Sequence, residues 1–400
     1  MKRTNLENWI EKTEALPQLT REGLDALQLG RLNETLTRVK ARGGFYKDYP
    51  EKIDKLEDLR QLPFTTAKML ADHPEKFLIT SQSEVSRVIS GATSGTTGIA
   101  KRVFYTQTDT NHTVGFFAAG ISEMLRSGEK CLIAFPFTGA FGLGDLIGRA
   151  VEQLGGIPLQ TGYGSSWGEL IELVKREKPE TYIGFPVMLL SLARMYSVDF
   201  PIQRALVSGD ACPAGVMEEL EKLLGSKLYP HYGSRECGLG GAVTCEAFEG
   251  MHLRENHIIA EIIDEKGNVL PEGEYGELVI TTIGLEAMPL IRYRTGDFTR
   301  MLPPCKCGGV TRRLDAVSRH EGKLSMEALD SALFRIPELI DYRVSLDEKL
   351  HIDCRYLDIA ARDRILKAAR ALYPQLEICL CGTLATPEHV PLYPAKRYVL

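Results

Sequence analysis

The sequence predicts an α/β protein. Its large N-terminal domain carries helix-covered, largely parallel sheets and a small β-barrel-like subdomain, and a small, mobile α+β C-terminal domain follows. Three observations lead there. Between Cys131 and Pro230, short apolar runs alternate with amphipathic stretches of helical length, the pattern of a parallel sheet covered by helices. From His257 the pattern changes to strand-like runs parted by polar turns, which marks antiparallel pairing. At 400 residues the chain exceeds what one core usually holds. The expected boundary places the large domain at 1–316 and the small one at 317–400.

Residues 1–42 read as amphipathic helix, with Leu24, Leu27, Leu32, Leu36 and Val39 set among charges and a break at Gly43-Gly44. Strands are expected at Cys131–Phe135, Ile157–Thr161, Thr181–Gly184, Arg204–Val207 and Lys227–Pro230. Helices are expected at Asp145–Leu154, Trp167–Glu177, Met188–Arg194 and Pro213–Leu224. Ligands of such sheets bind beyond the carboxyl ends of the strands. The polar turns Ser208-Gly-Asp210 and Tyr232-Gly-Ser-Arg-Glu236 follow two of these strands and are expected at one crevice. His257–Ile263 and Gly276–Thr282 read as antiparallel strands. In the tail, a helix at Met326–Phe334, a hairpin about Asp347-Glu-Lys349, a helix at Ile359–Leu372 and a strand at Glu377–Gly382 form the small domain.

Composition narrows the function. A hydrophobic share of 44% and a charged share of 25% are ordinary for a globular protein, and a net charge of −5 leaves no basic footprint for nucleic acid. No apolar run approaches the ~20 residues of a membrane span. Met1-Lys-Arg-Thr-Asn-Leu-Glu7 lacks the apolar core of a signal peptide, so a cytoplasmic location is expected. Nine cysteines, an odd number spread along the chain, argue for reduced thiols or metal ligands rather than a disulfide framework.

Gly91-Ala-Thr-Ser-Gly-Thr-Thr-Gly-Ile-Ala-Lys101 holds the most chemistry. Glycines permit turns that aim successive N–H groups at one point, and hydroxyls and a lysine add donors and charge. The run reads as a polyphosphate cradle held between two strands. It is not the Walker pattern, whose glycines are spaced differently.

Thr93–Lys101, Tyr232-Gly-Ser-Arg-Glu236, Gly276-Glu-Leu-Val-Ile-Thr-Thr282 and Tyr293-Arg-Thr-Gly-Asp297, in this order, resemble the adenylate-forming superfamily of acyl-CoA synthetases and adenylation domains. Phe45-Tyr46, Leu62-Pro63-Phe-Thr-Thr-Ala-Lys68, Glu286-Ala-Met-Pro-Leu-Ile-Arg292 and Cys305-Lys-Cys-Gly308 are similar to its phenylacetate–CoA ligase-like branch. The resemblance covers nearly the whole chain. It implies that a carboxylate attacks the α-phosphorus of ATP, forming an acyl-adenylate and pyrophosphate, and that the thiol of coenzyme A then displaces AMP. A carboxylate is a poor acylating agent, and the mixed anhydride supplies the leaving group. The protein's part is positioning and electrostatics.

The resemblance also implies roles. Thr93, Ser94, Gly95, Thr96, Thr97 and Gly98 match the phosphate loop, and Lys101 would meet phosphate charge as a point cation. Glu236 matches the carboxylate that places Mg²⁺, a hard ion that neutralises ATP charge. Tyr232, with Gly233 and Ser234, lies by the adenine, Asp297 holds the ribose hydroxyls with Arg294 beside it, and Ser208, Gly209 and Asp210 line the adenine pocket. Lys396 falls where the family's C-terminal catalytic lysine belongs, although Ala395 replaces the usual glycine. Arg313 and Asp315 match part of the family's hinge stretch, with Arg312 and Ala316 departing from it. For the acid, Phe135, Phe137, Gly139 and Phe141 follow a strand and would stack an aromatic substrate, with core packing as the alternative for Phe135 and Phe137.

Cys245, His252, Cys305 and Cys307 form a thiolate–imidazole set suited to tetrahedral Zn²⁺, against the alternative of three unrelated thiols and a surface imidazole. The branch implies a structural zinc there and a homodimer. Two further functions stay open: loading of a separate carrier protein's phosphopantetheine arm, and nucleotide binding without turnover.

Overall fold

The computed structural model describes residues 4–92, 100–137, 142–161, 166–196, 199–319, 324–386 and 398–399. The chain divides into two compact units, Met1–Glu123 with Pro230–His320, and Met124–Tyr229 with Glu321–Leu400.

In the first unit, helices Asn5–Thr13 and Arg21–Arg42 occupy the predicted amphipathic stretch. The longer helix starts at Thr20, whose hydroxyl accepts from Gly23 N, and stops at Gly43, whose φ of 78° a side chain would strain. Leu24, Gln28, Leu32, Leu36 and Val39 form its buried stripe. Strands Val85–Ala92 and Ala100–Thr106 pair antiparallel and flank the Gly/Ser/Thr run, in line with the expected strands on either side of it. Helix Gln107–Ile121 escapes the sequence reading. A Thr106–Asp109 capping box starts it, and Asp109 also accepts from the backbone N–H groups of Glu286 and Ala287. The predicted antiparallel sheet orders its strands as Ile258–Ile263, Gly276–Thr282, Tyr293–Thr299 and Ser318–Arg319. Short strands Ala242–Val243, Met251–Leu253, Arg313–Leu314 and Met301–Leu302 form a second antiparallel ladder.

In the second unit, Ile157–Gln160, Lys130–Ala134, Thr181–Gly184 and Arg204–Val207 pair in parallel in that order. This bears out the βα alternation, with helices Gly144–Gln153, Trp167–Glu177, Pro186–Tyr196 and Ala214–Leu224 between and after the strands. The strand expected at Lys227–Pro230 lies instead at Tyr229–Tyr232.

The tail has its expected elements: helices Met326–Leu333 and Ala361–Leu372, hairpin Leu339–Leu346 and Leu350–Tyr356, and strand Ile378–Leu384 parallel to the hairpin. Its core is continuous with that of 124–229. Leu189, Leu190, Val216 and Leu220 are buried in the same cluster as Leu333, Phe334, Leu339 and Tyr342. Arg194 reaches the carbonyls of Leu339 and Phe334 at 2.6 Å, and Ser191 Oγ donates to that of Ile340 at 2.6 Å. No helix among the described residues is long and apolar enough to cross a membrane.

Candidate active site

The first unit brings four of the predicted residues into two hydrogen-bonded clusters, each built on an ion pair. On strand Ala100–Thr106, Lys101 is 5% exposed, and its ammonium pairs with Oε1 of Glu236, itself 5% exposed. The same ammonium donates to the Tyr293 hydroxyl at 2.7 Å, and that hydroxyl faces Glu236 Oε1 at 3.4 Å. Glu236 sits on the turn Arg235–Cys237, which is held locally. Ser234 N donates to Cys237 Sγ at 3.0 Å, and the Tyr105 hydroxyl donates to the Arg235 carbonyl.

The second cluster centres on Asp297. Its Oδ2 accepts from the Tyr232 hydroxyl at 2.9 Å, and its Oδ1 accepts from Arg319 Nε at 2.8 Å and Nη2 at 2.5 Å. Strand register aligns them, because Asp297 lies opposite Arg319. Tyr293 and Asp297 share one strand, four positions apart, with a bulge between them at Thr295-Gly296. Gly296 has φ of 72°, a conformation that suits glycine.

Burial drives the electrostatics. It pushes the Glu236 carboxyl upward, but the charge and hydrogen bond of Lys101 prevail and hold it below the usual glutamate range. For Asp297 burial prevails, and Arg319 and Tyr232 only partly offset the rise. Two carboxylates of one unit are thus displaced in opposite directions, an arrangement typical of functional sites.

The remaining predicted residues fall variously. Thr93, Ser94, Gly95, Thr96, Thr97, Gly98, Gly139, Phe141 and Lys396 lie outside the described residues. Gly233 has no room for a side chain, since a Cβ would overlap the Leu239 carbonyl oxygen. Ser234 Oγ is buried with no hydrogen-bond partner among the described residues. Arg294 is bonded to Glu277 through Nε at 2.9 Å and through Nη2. Arg313 caps the carbonyls of Glu249 and Pro303, and Asp315 pairs with Arg300 at 2.8 Å.

In the second unit, Ser208, Gly209 and Asp210 follow strand Arg204–Val207 as predicted. Gly209 has φ of 82°, and a Cβ there would stand 2.7 Å from the Phe185 ring and 2.8 Å from that of Phe135. The two rings lie 4.9 Å apart, so Gly209 closes on an aromatic wall. Phe137 packs elsewhere, against Gly144 and Gly148 of the following helix, which is the core-packing alternative.

Cys245, His252, Cys305 and Cys307 converge, with all ligand atoms within 4.8 Å of one another. His252 is 1% exposed, so the surface-imidazole alternative does not hold. Burial lowers its pKa to about 4, keeping the ring neutral as a ligand requires. Its Nδ1 meets Thr311 Oγ1 at 2.8 Å, and Thr311 donates to Glu7, which leaves Nε2 facing Cys307 Sγ at 3.4 Å. Backbone N–H groups of Ala247, Cys307 and Gly309 donate to the three sulfurs. Donors aimed at sulfur and an oriented imidazole are the surroundings of a metal-bound thiolate set. Cys237 stands apart from this set, its Sγ donating to the Ser234 carbonyl.

Tyr293, Arg319 and Thr311 are additions of the structure. Tyr293 stands within a recognised motif, but nothing in sequence points its hydroxyl at Glu236. Arg319 carries no signal.

Such an arrangement, two anchored carboxylates each held by a cation and a tyrosine, suits a phosphate-bearing nucleotide with its metal. Comparison with known proteins agrees. The family model of AMP-binding enzymes matches residues 90–287. A phenylacetate–coenzyme A ligase of Pseudomonas putida is 30% identical, across 91% of this chain and 93% of its own length. That of Aromatoleum evansii is 31% identical, across 85% and 82%. Among solved structures, a 2-hydroxyisobutyryl-CoA ligase in a postadenylation state superposes with a TM-score of 0.79 at 17% identity, over 94% of this chain and 89% of that one. The chain belongs to the phenylacetate–CoA ligase family of AMP-binding enzymes. Its class is therefore the AMP-forming acid–thiol ligases, which make an acyl-adenylate from ATP and pass the acyl group to coenzyme A.

Proposed function

We propose that this ligase activates an aromatic carboxylic acid. The observation that carries the aromatic acid is the wall of Phe135 and Phe185 beside Gly209. The ATP chemistry rests on the Lys101–Glu236–Tyr293 cluster, linked through strand Tyr293–Thr299 to Asp297 and Tyr232, an array suited to both ends of a nucleotide. Asp297 takes the ribose hydroxyls through paired hydrogen bonds, and Tyr232 flanks the adenine. Glu236 would hold Mg²⁺, a hard cation that carboxylate oxygens suit. The metal supplies charge neutralisation as pyrophosphate departs. Thr93, Thr96 and Lys396 keep their proposed phosphate roles. The wall of Phe135 and Phe185 beside Gly209 supports a flat acid.

Cys245, His252, Cys305 and Cys307 hold a structural Zn²⁺. Four protein ligands leave no open position, so its part is to pin the Cys305–Cys307 turn to the 245–252 segment. Residues 1–316 act as the nucleotide- and acyl-binding domain, strand Ser318–Arg319 stays with its sheet, and the smaller domain that follows has its own four-stranded sheet. A homodimer is the expected assembly and the cytoplasm, where thiols stay reduced, the expected location.

Pyrophosphate release with a panel of aryl and alkyl acids, with and without coenzyme A, tests the proposal. Acid-dependent release greatest for aryl acids, with acyl-CoA as final product, is expected. No release with any acid would overturn the reading in favour of a nucleotide-binding homologue. Transfer only to a carrier protein's phosphopantetheine arm would change the acceptor.

A further inference from the structure

The structure pairs Glu236, the proposed metal carboxylate, with Lys101, the proposed phosphate cation. The two side chains are 6% exposed each, and Lys101 Nζ and the Tyr293 hydroxyl both stand at Oε1 of Glu236. With the ammonium at Oε1, a divalent cation on the same carboxylate would sit close to a second cation, and the two repel strongly in a dry site, which weakens metal binding. Lys101 immediately follows the glycine–threonine run, on a strand paired through Gly91 and Ala92 with the other side of the hairpin. It is therefore tethered near where phosphate is proposed to bind. Tyr293 gives its ammonium a neutral hydroxyl contact beside the carboxylate.

We propose that Lys101 is the resident counter-ion of Glu236 in the nucleotide-free enzyme, and that Tyr293 positions it there. Phosphate oxygens of ATP offer the ammonium a new anionic partner. Its departure bares Glu236, so the metal seat opens only once nucleotide is present. The benefit is order: the carboxylate is never buried without a cation, a costly state, and free metal does not fill the seat before ATP. This rests on the reading of Glu236 as the metal carboxylate.

Binding of Mn²⁺ alone, followed by electron paramagnetic resonance at pH 8 without nucleotide, is the test. Wild type is expected to show no tight site. Lys101→Met gains a site bound at least roughly tenfold tighter, and Lys101→Met with Glu236→Gln loses it. Tyr293→Phe, which keeps the ion pair but removes the hydroxyl contact, gains metal affinity by a smaller factor, and it serves as the second variant if Lys101→Met fails to fold. Circular dichroism establishes folding. No gain in either folded variant would overturn the proposal, even where Glu236→Gln abolishes Mn²⁺ binding in the presence of a non-hydrolysable ATP analogue. If Glu236→Gln leaves that nucleotide-dependent binding intact, the metal reading itself fails and takes the proposal with it.

Discussion

Arg319 directs two guanidinium donors at one oxygen of Asp297 and leaves the other oxygen to Tyr232. Three donors thus take three of the roughly four acceptor positions of the carboxylate before nucleotide arrives, and the remaining one lies on Oδ2. Asp297→Ala is expected to weaken ATP binding by about 1–3 kcal/mol, the usual loss of a buried charged hydrogen-bond partner. Burial holds the Asp297 pKa above its ordinary value and Arg319 opposes the rise, so Arg319→Met moves it further up. Binding needs the ionised carboxylate, so the acid limb of ATP affinity shifts to higher pH in that variant. Calorimetric titrations from pH 5 to 8, as chosen conditions, check this. An unmoved limb would contradict the assignment.

The zinc proposal predicts about one zinc per purified chain. Thr311→Val removes the partner of His252 Nδ1 and should loosen the metal by roughly 10–100-fold. Chelation should lower the melting temperature. Protein purified free of zinc and melting at the same temperature with or without chelator would refute the site.

Gly215, near the start of helix Ala214–Leu224, has no space for a methyl group, because a Cβ would overlap the Ser331 carbonyl of the tail helix. Helix propensity alone makes Gly→Ala stabilising by about 1 kcal/mol. Here overpacking wins, and Gly215→Ala is expected to cost a net 1–3 kcal/mol, roughly. Urea unfolding decides between the two signs.

Burial lowers the pKa of His231 to about 4 and holds that of His257 well below its ordinary value, with the Arg254 charge adding to the effect. In the unfolded chain both take protons near pH 6.5. Between about pH 6.5 and 4 the unfolded state therefore binds more protons, and stability falls as pH falls through that window. His231 alone accounts for roughly 3 kcal/mol by pH 4. Its ring lies among those of Phe116 and Phe117, so His231→Phe should fit and flatten the slope. Denaturant midpoints across pH measure it, and an unchanged slope would contradict the buried neutral imidazole.

Much of the architecture is legible because it is written locally. Apolar stripes such as Leu24–Val39 and alternating βα runs specify elements within a dozen residues. Helix Gln107–Ile121 escapes notice although Thr106 and Asp109 form its capping box, because its buried stretch lacks a clear polar face. Phe137 misleads for a related reason: an aromatic after a strand looks the same in sequence whether it lines a pocket or packs on Gly144.

The sequence by itself determined the class of chemistry, through four ordered motifs and a cysteine–histidine set whose residue types already limit what they bind. Tertiary structure alone decided the pairings: Lys101 with Glu236 and Tyr293, Arg319 with Asp297, Thr311 with His252, and Arg194 with the carbonyls of Phe334 and Leu339. These partners come from separate elements that meet only after sheets and helices pack. Each buried charge must then find a counter-charge or a donor at that meeting point, a constraint set by three-dimensional proximity rather than by any pattern along the chain.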